Sequence, residues 1–256
     1  MSDAPAPEPT LSERALFRLK YSLVLAWGSV CTLGFLPPAV LRWGNTDIAW
    51  AYAHTLSFIG LKILGGRVEI EGAEHLAERP AILVANHQTN YDVLFAGAIY
   101  PRQTVVIGKK ELLKTPLFGT FFAATGNVLI DRANHQNAVA GLDKAVEAVR
   151  SRGLSIWLFP EGHRSRGAGL RPFKKGAFHM AIAAGVPVIP IVFSSTDRLI
   201  NARAKRAPGG LLRIHVLPPV STEGLAASDA EALKDRVHDM FRQEWVRMEP
   251  TAPASD

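Results

Sequence analysis

The sequence predicts an α/β fold: a largely parallel central sheet flanked by helices, with an N-terminal helical pair in front of it. Three observations lead there. Short runs rich in Val, Ile and Leu recur from Gly66 onward. Stretches with apolar residues at helical spacing lie between them. Two uncharged apolar stretches, 21–41 and 48–61, precede both. Alternating strands and helices favour a parallel sheet, because parallel neighbours need a crossover and a helix usually supplies it.

Composition bounds the rest. The 256 residues suffice for one sizeable domain with a proper core. With 48% apolar and 20% charged residues the chain is globular rather than disordered. Its one cysteine, Cys31, excludes an internal disulfide and sits in an apolar run as a small hydrophobe. A net charge of +6 suits an anionic partner, either a phospholipid surface or a phosphorylated substrate. Nucleic acid is not expected: the basic residues are dispersed, and neither zinc-finger spacing nor an aromatic RNA-binding signature is present.

Residues 1–10, rich in Pro and Ala, read as a disordered leader. Residues 11–62 read as membrane-associating helices. Arg14, Arg18 and Lys20 precede the uncharged run 21–41, and Arg42 follows it. A bilayer-spanning helix needs about 20 apolar residues, but Pro37 and Pro38 are expected to end this one early. The second stretch, 48–61, is too short to span alone. A signal peptide is disfavoured, because no small-residue cleavage site and no disulfide-rich domain follow. A transmembrane helix or tight pair, a hairpin embedded in one leaflet with its basic residues at the headgroups, and two core helices of a soluble protein all remain. The embedded hairpin is preferred, and the sequence does not separate spanning from embedded.

Residues 63–248 form the α/β domain. Strands are expected at 68–70, 81–85, 104–107, 128–130, 155–159, 188–193 and 211–216. Helices are expected over 137–150, 178–184 and 229–248, the last with its charges on one face. Residues 249–256 read as a flexible tail. Sheets of this kind bind ligands at the carboxyl ends of their strands.

Three segments place chemistry at such ends. In 81–94, AILVANHQTNYDVL, an apolar strand runs directly into His87, and Asp92 follows five residues later across a turn. Histidine is the side chain suited to take a proton from a hydroxyl near neutral pH, and a carboxylate on its other nitrogen fixes the tautomer. By itself the pair is equally a loop histidine and a helix N-cap. In 126–132, GNVLIDR, a strand delivers Asp131 and Arg132; the arginine fits bidentate contact with a phosphate, or is a solvated surface residue. In 156–166, IWLFPEGHRSR, a buried strand runs into Glu161, Gly162, His163, Arg164 and Ser165. Gly162 permits a tight turn, backbone amides with Arg164 and Ser165 suit a phosphate cradle, and Glu161 suits a glycerol hydroxyl or a surface ion pair with its arginines, which the strand-end position disfavours. Lys109 and Lys110 follow the strand 104–107 and suit an oxyanion or a phosphate, or are equally solvated surface lysines. The run 186–191, VPVIPI, fits an acyl channel or plain core. A Gly-x-Ser-x-Gly elbow and metal-ligand spacing are both absent.

In this order the blocks NHQTNYD, GNVLIDR, FPEGHR and VPVIPI resemble the four motifs of the glycerophospholipid acyltransferase family, most closely its bacterial members that acylate lysophosphatidic acid. GKKELLKTPLFG and PFKKGAFHMAIAAGVP are similar to family members as well, so the resemblance covers roughly residues 66–219. It implies that His87 is the general base and Asp92 its orienting carboxylate. Arg132, Glu161, Gly162 and Arg164 then bind the acceptor, and the family's lysine maps best to Lys109, with Lys110 the second candidate. It further implies lysophosphatidic acid as acceptor, acyl-CoA or acyl carrier protein as co-substrate rather than a bound cofactor, and a bacterial inner membrane with the catalytic domain on its cytoplasmic side. His163 departs from the family's usual threonine, which puts any role of that hydroxyl in doubt.

Overall fold

The computed structural model describes residues 8–131 and 135–249. Helix α1 (Leu11–Leu41) starts at a reciprocal cap, in which Glu13 N–H donates to the Thr10 hydroxyl and Thr10 N–H to the Glu13 carboxylate. Pro37 and Pro38 lie inside α1 rather than ending it, contrary to the sequence expectation. They fall in the last turn, which tertiary contacts hold. Ala39 is fully buried there, and Gly44 N–H just beyond donates to Ala124 O at 2.7 Å.

Asn45 accepts from the first amides of α2 (Thr46–Leu64), and α2 returns antiparallel to α1. Three links set that register: Lys20 Nζ to Leu64 O, Trp27 Nε1 to Leu56 O, and the Thr32 and Tyr52 hydroxyls. Only a narrow stripe of α1 is buried, including Val24, Cys31 and Ala39, while Leu16, Leu19, Leu23, Leu25, Val30 and Leu33 are exposed. Among the described residues α1 is the one helix long and apolar enough to cross a membrane.

After the hairpin come β1 (Gly66–Glu71), β2 (Ile82–Ala85), α3 (Asp92–Ile99), β3 (Thr104–Lys109), α4 (Phe118–Ala124) and β4 (Val128–Ile130). Then follow α5 (His135–Arg152), β5 (Ser155–Leu158), α6 (Gly176–Ala184), β6 (Val188–Phe193), β7 (Gly210–Val216) and α7 (Ala230–Met248). The seven strands form one sheet in the order β1-β7-β6-β2-β5-β3-β4. Neighbours pair parallel except β6 with β7, so β1 and β7 run against the other strands.

Strand alternation divides the core. Leu83, Trp157, Ile189 and Phe193 face the side covered by α2 and α3, while Ile82, Val84, Ile156 and Val188 face α5, α6 and α7. Of the segment 186–191, residues 188–191 belong to central strand β6 and Val186 is buried core just before it, and none of them lines the apolar cavity. Within that strand, Pro190 is tolerated because β6 pairs with β7 only over Ile191–Phe193, which leaves no ladder bond for the missing N–H. On α3, Gly97 lets α2 approach: a Cβ there would lie 2.4 Å from Ala53 O. Glu249, assigned from sequence to the flexible tail, is instead buried and accepts from Ser195 N–H at 3.0 Å.

Candidate active site

Strands β2, β3, β4 and β5 are mutually parallel, so they release their chains at one edge of the sheet. His87, Glu161–Ser165, Lys109 with Lys110, and Asp131 all emerge there. Arg132 lies outside the described residues.

His87 follows β2 by two residues. Its Nδ1 is 2.6 Å from Asp92 Oδ2 at the start of α3. Asp92 is fully buried, and it is held by more than the imidazole. Gln88 N–H donates to Oδ2 at 2.6 Å, Thr89 N–H to both oxygens at 3.0 Å, and the Thr89 hydroxyl to Oδ1 at 2.9 Å. A carboxylate only accepts, so the proton belongs on Nδ1 and the Nε2 lone pair is left for a substrate. The imidazole stacks on Phe159, with ring centroids 4.1 Å apart and planes at 14°, which fixes the remaining rotation.

The backbone of His87 is clamped from both sides by the loop after β5. Its N–H donates to Glu161 Oε1 at 2.5 Å, and its C=O accepts from Ser165 N–H at 2.8 Å. Arg166 N–H donates to Gln88 O at 3.1 Å. Glu161 Oε2 accepts from Arg171 N–H at 3.3 Å. Burial pushes the Glu161 carboxyl up to about 7; the His87 and Arg171 amides pull it down and the Asp92 charge pushes it up, both more weakly than burial does.

Two sequence expectations change here. Glu161, expected to meet a glycerol hydroxyl, is 3% exposed and turned inward onto two backbone amides. The backbone cradle is also mostly spent: the amides of Gly162, Ser165 and Arg166 donate to Phe159 O, His87 O and Gln88 O. The loop's exposed cationic side chains, Arg164 and Arg166, remain open to an anion, while Ser165 is buried. Gly162 keeps its expected role as a turn. Its φ is +74°, and a Cβ would meet Lys174 Cε at 2.9 Å. Lys109 and Lys110 are exposed at the end of β3, two strands from β2, with Lys110 Nζ 3.8 Å from Asp131 Oδ2.

Sequence reasoning missed Asn86, Gln88 and Phe159. Asn86 exchanges two hydrogen bonds with the Phe193 backbone, at 3.0 and 2.8 Å. Gln88 donates to Ser194 O and accepts from Thr196 N–H, tying the end of β2 to the end of β6. The available signal was two amide side chains continuing a fully buried strand, where only satisfied polar groups survive.

An apolar cavity of about 460 Å³ has Phe159, the ring on which His87 stacks, in its wall. Tyr91, next to Asp92 in the chain, lines it as well. The remaining walls come from α1 (Val24, Gly28), α2 (Tyr52, Leu56), α3 (Leu94) and α4 (Phe121). It is of the size that holds a small-molecule ligand or an extended chain.

The family model described as acyltransferase matches residues 67–194. The 1-acyl-sn-glycerol-3-phosphate acyltransferase of Escherichia coli is 43% identical over 169 residues, 66% of this chain and 68% of that protein. The enzyme of the same name from Salmonella typhimurium is 47% identical over the same shares. The human 1-acyl-sn-glycerol-3-phosphate acyltransferase alpha is 38% identical over 91% of this chain and 84% of its own length. In fold, the chain is similar to the crystal structure of the 1-acyl-sn-glycerophosphate acyltransferase of Thermotoga maritima. The TM-score is 0.74 and the identity 23%, covering 95% of this chain and 98% of that one.

Proposed function

The chain belongs to the acyltransferase family, and from that premise we propose that it transfers a fatty acyl group from a thioester carrier, acyl-CoA or acyl carrier protein, to the sn-2 hydroxyl of 1-acyl-sn-glycerol-3-phosphate, giving phosphatidic acid. The observation that carries this reading is the His87–Asp92 pair, whose imidazole stacks on Phe159, a residue of the apolar cavity wall.

The acceptor hydroxyl gives its proton to His87 Nε2 as its oxygen attacks the thioester carbonyl carbon. Asp92 stabilises the imidazolium that forms. The tetrahedral intermediate collapses with cleavage of the carbon–sulfur bond, and the thiolate leaves with the proton returned from His87. Ester and free thiol result, and no protein nucleophile takes part. Arg164, Ser165 and a lysine of the pair Lys109 and Lys110 supply positive charge and donors for the acceptor phosphate at the same sheet edge, and the family resemblance assigns Arg132 to the same phosphate. The acyl chain lies in the cavity.

The α1/α2 hairpin seats the enzyme on a phospholipid membrane, in a bacterium the inner membrane with the sheet on the cytoplasmic side. The exposed leucines and valines of α1 support that placement, because an apolar face of this extent is costly in water.

The test is transfer by the detergent-solubilised full chain, with radiolabelled lysophosphatidic acid, a long-chain acyl-CoA or acyl carrier protein, and His87→Ala alongside. Labelled phosphatidic acid from the wild type alone is expected. A fully active His87→Ala refutes the base assignment, and no product with either donor refutes the substrate assignment.

A further inference from the structure

We infer that Glu161 is a positioning residue that locks the backbone of His87 to the loop after β5, and that it does not bind the acceptor. The inference rests on the reading of His87 as the base, and it reverses the ligand role that the resemblance implies for Glu161.

Both carboxylate oxygens are occupied by the chain itself. Oε1 takes the His87 amide at 2.5 Å and Oε2 the Arg171 amide at 3.3 Å. With the side chain 3% exposed, little of it is open to a substrate hydroxyl. The two amides are the residue whose imidazole does the chemistry and the far end of a ten-residue excursion that carries His163, Arg164 and Ser165. One carboxylate therefore ties the base to both ends of the segment that presents positive charge to the acceptor. The return path is the Ser165 amide, which donates to His87 O at 2.8 Å. His87 is thus held through its N–H by Glu161, through its C=O by Ser165, and through its ring by Asp92 and Phe159.

Alternative acceptors for this purpose are hard to build. The His87 amide points into a buried position, where an unsatisfied N–H is costly, and a charged acceptor makes the stronger bond. Burial works against that charge, as the raised carboxyl of Glu161 shows. A buried carboxylate kept on two amides is an expensive device unless the placement of those amides matters to the reaction.

The two roles separate kinetically. A ligand to the acceptor, when removed, raises KM for the acceptor. A residue that only places the base lowers kcat and leaves that KM in place. Glu161→Gln keeps the shape and one acceptor oxygen, and Glu161→Ala removes both. Displacement of a reacting group by about 1 Å costs roughly a hundredfold in rate. In the full chain in detergent, kcat is expected to fall about a hundredfold in Glu161→Ala and about tenfold in Glu161→Gln. KM for lysophosphatidic acid is expected to stay within about threefold.

Amide exchange read on the peptide that contains His87 needs no turnover. It is expected to quicken at least about tenfold in Glu161→Gln, because the N–H loses its charged acceptor. A rise in acceptor KM larger than the fall in kcat, unchanged kinetics in Glu161→Gln, or unchanged exchange at His87 would each overturn the inference. An inactive wild type would instead count against the proposed substrate, and exchange would still decide the role of Glu161.

Discussion

Asp92→Asn perturbs the dyad with almost no change of volume, and the geometry sets its size. The Asp92 oxygen lies 2.6 Å from His87 Nδ1, which puts the imidazolium and carboxylate charge centres roughly 4 Å apart. At an effective dielectric of about 20 a unit pair at that distance interacts by about 4 kcal/mol, a loss of about a thousandfold in rate if it acts only once the imidazolium forms. That value assumes the Asn carbonyl takes the Oδ2 place and still accepts from His87 Nδ1 and Gln88 N–H. Its NH2 would then face Thr89, whose hydroxyl can turn to accept. If the NH2 instead faces Nδ1, the imidazole adopts the other tautomer and Nε2 is no longer a base, which takes the loss toward about ten-thousandfold. The assay is the initial rate of phosphatidic acid formation at saturating acceptor, with the melting temperature of each protein measured alongside. An Asp92→Asn enzyme that melts like the wild type and turns over within tenfold of it refutes the assignment of Asp92 as the partner of a general base.

Two further outcomes follow from packing and charge. Gly97→Ala should destabilise the hairpin against the sheet, since the new Cβ would sit 2.4 Å from Ala53 O and 2.8 Å from Ser57 Cβ. Overpacking of this kind costs about 1–3 kcal/mol, or a fall of roughly 2–12 °C in thermal midpoint, and an unchanged midpoint contradicts the described contact. Glu161 makes stability depend on pH: its carboxyl is raised from 4.5 in the open chain to about 7 in the folded one. Between those values the folded protein holds the proton that the unfolded chain has released. Its contribution is therefore fully present below about 4.5 and lost as pH rises through about 7, on the order of 3 kcal/mol. Unfolding by denaturant across this range should show the decline in the wild type and a flatter line in Glu161→Gln; equal slopes refute the shift.

What the sequence discloses and what it hides divide along physical lines. The strands were legible because short Val- and Ile-rich runs bounded by turn residues have few other fates, and the strands at 128–130 and 188–193 fall where expected. Strand order and the reversed direction of β1 and β7 were not legible, since pairing is set by contacts far apart in the chain. The α1 prolines misled because local propensity was read without the packing of Ala39. His87 and Asp92 were legible as a pair because a five-residue spacing across a strand-to-helix turn can close locally, and it does at 2.6 Å. The orientation of Glu161 was not. Nothing in FPEG says whether a carboxylate at a strand end faces substrate or its own backbone, and here the His87 amide, 74 residues earlier, decides it.

The placement of the cavity bears on what the N-terminal hairpin is for. If α1 and α2 were only an anchor, the catalytic domain would carry a complete substrate pocket without them. Instead α1 supplies Tyr21, Val24, Leu25 and Gly28 to the cavity wall, α2 supplies Tyr52 and Leu56, and their core is continuous with Leu83, Phe95 and Trp157 of the α/β domain. The same α1 that lines the cavity with one stripe exposes leucines and valines on the others. Under the membrane reading, one helix then separates the acyl chain in the pocket from the acyl chains of the bilayer by a single layer of side chains. His87, the proposed base, is stacked on Phe159, which lines that pocket. In the proposed reaction the apolar chain lies on the Phe159 side of the dyad and the charged acceptor on the side of the basic sheet edge. That division of the site, a dry side built by the hairpin and a polar side built by the strand ends, requires both parts of the chain to be folded together.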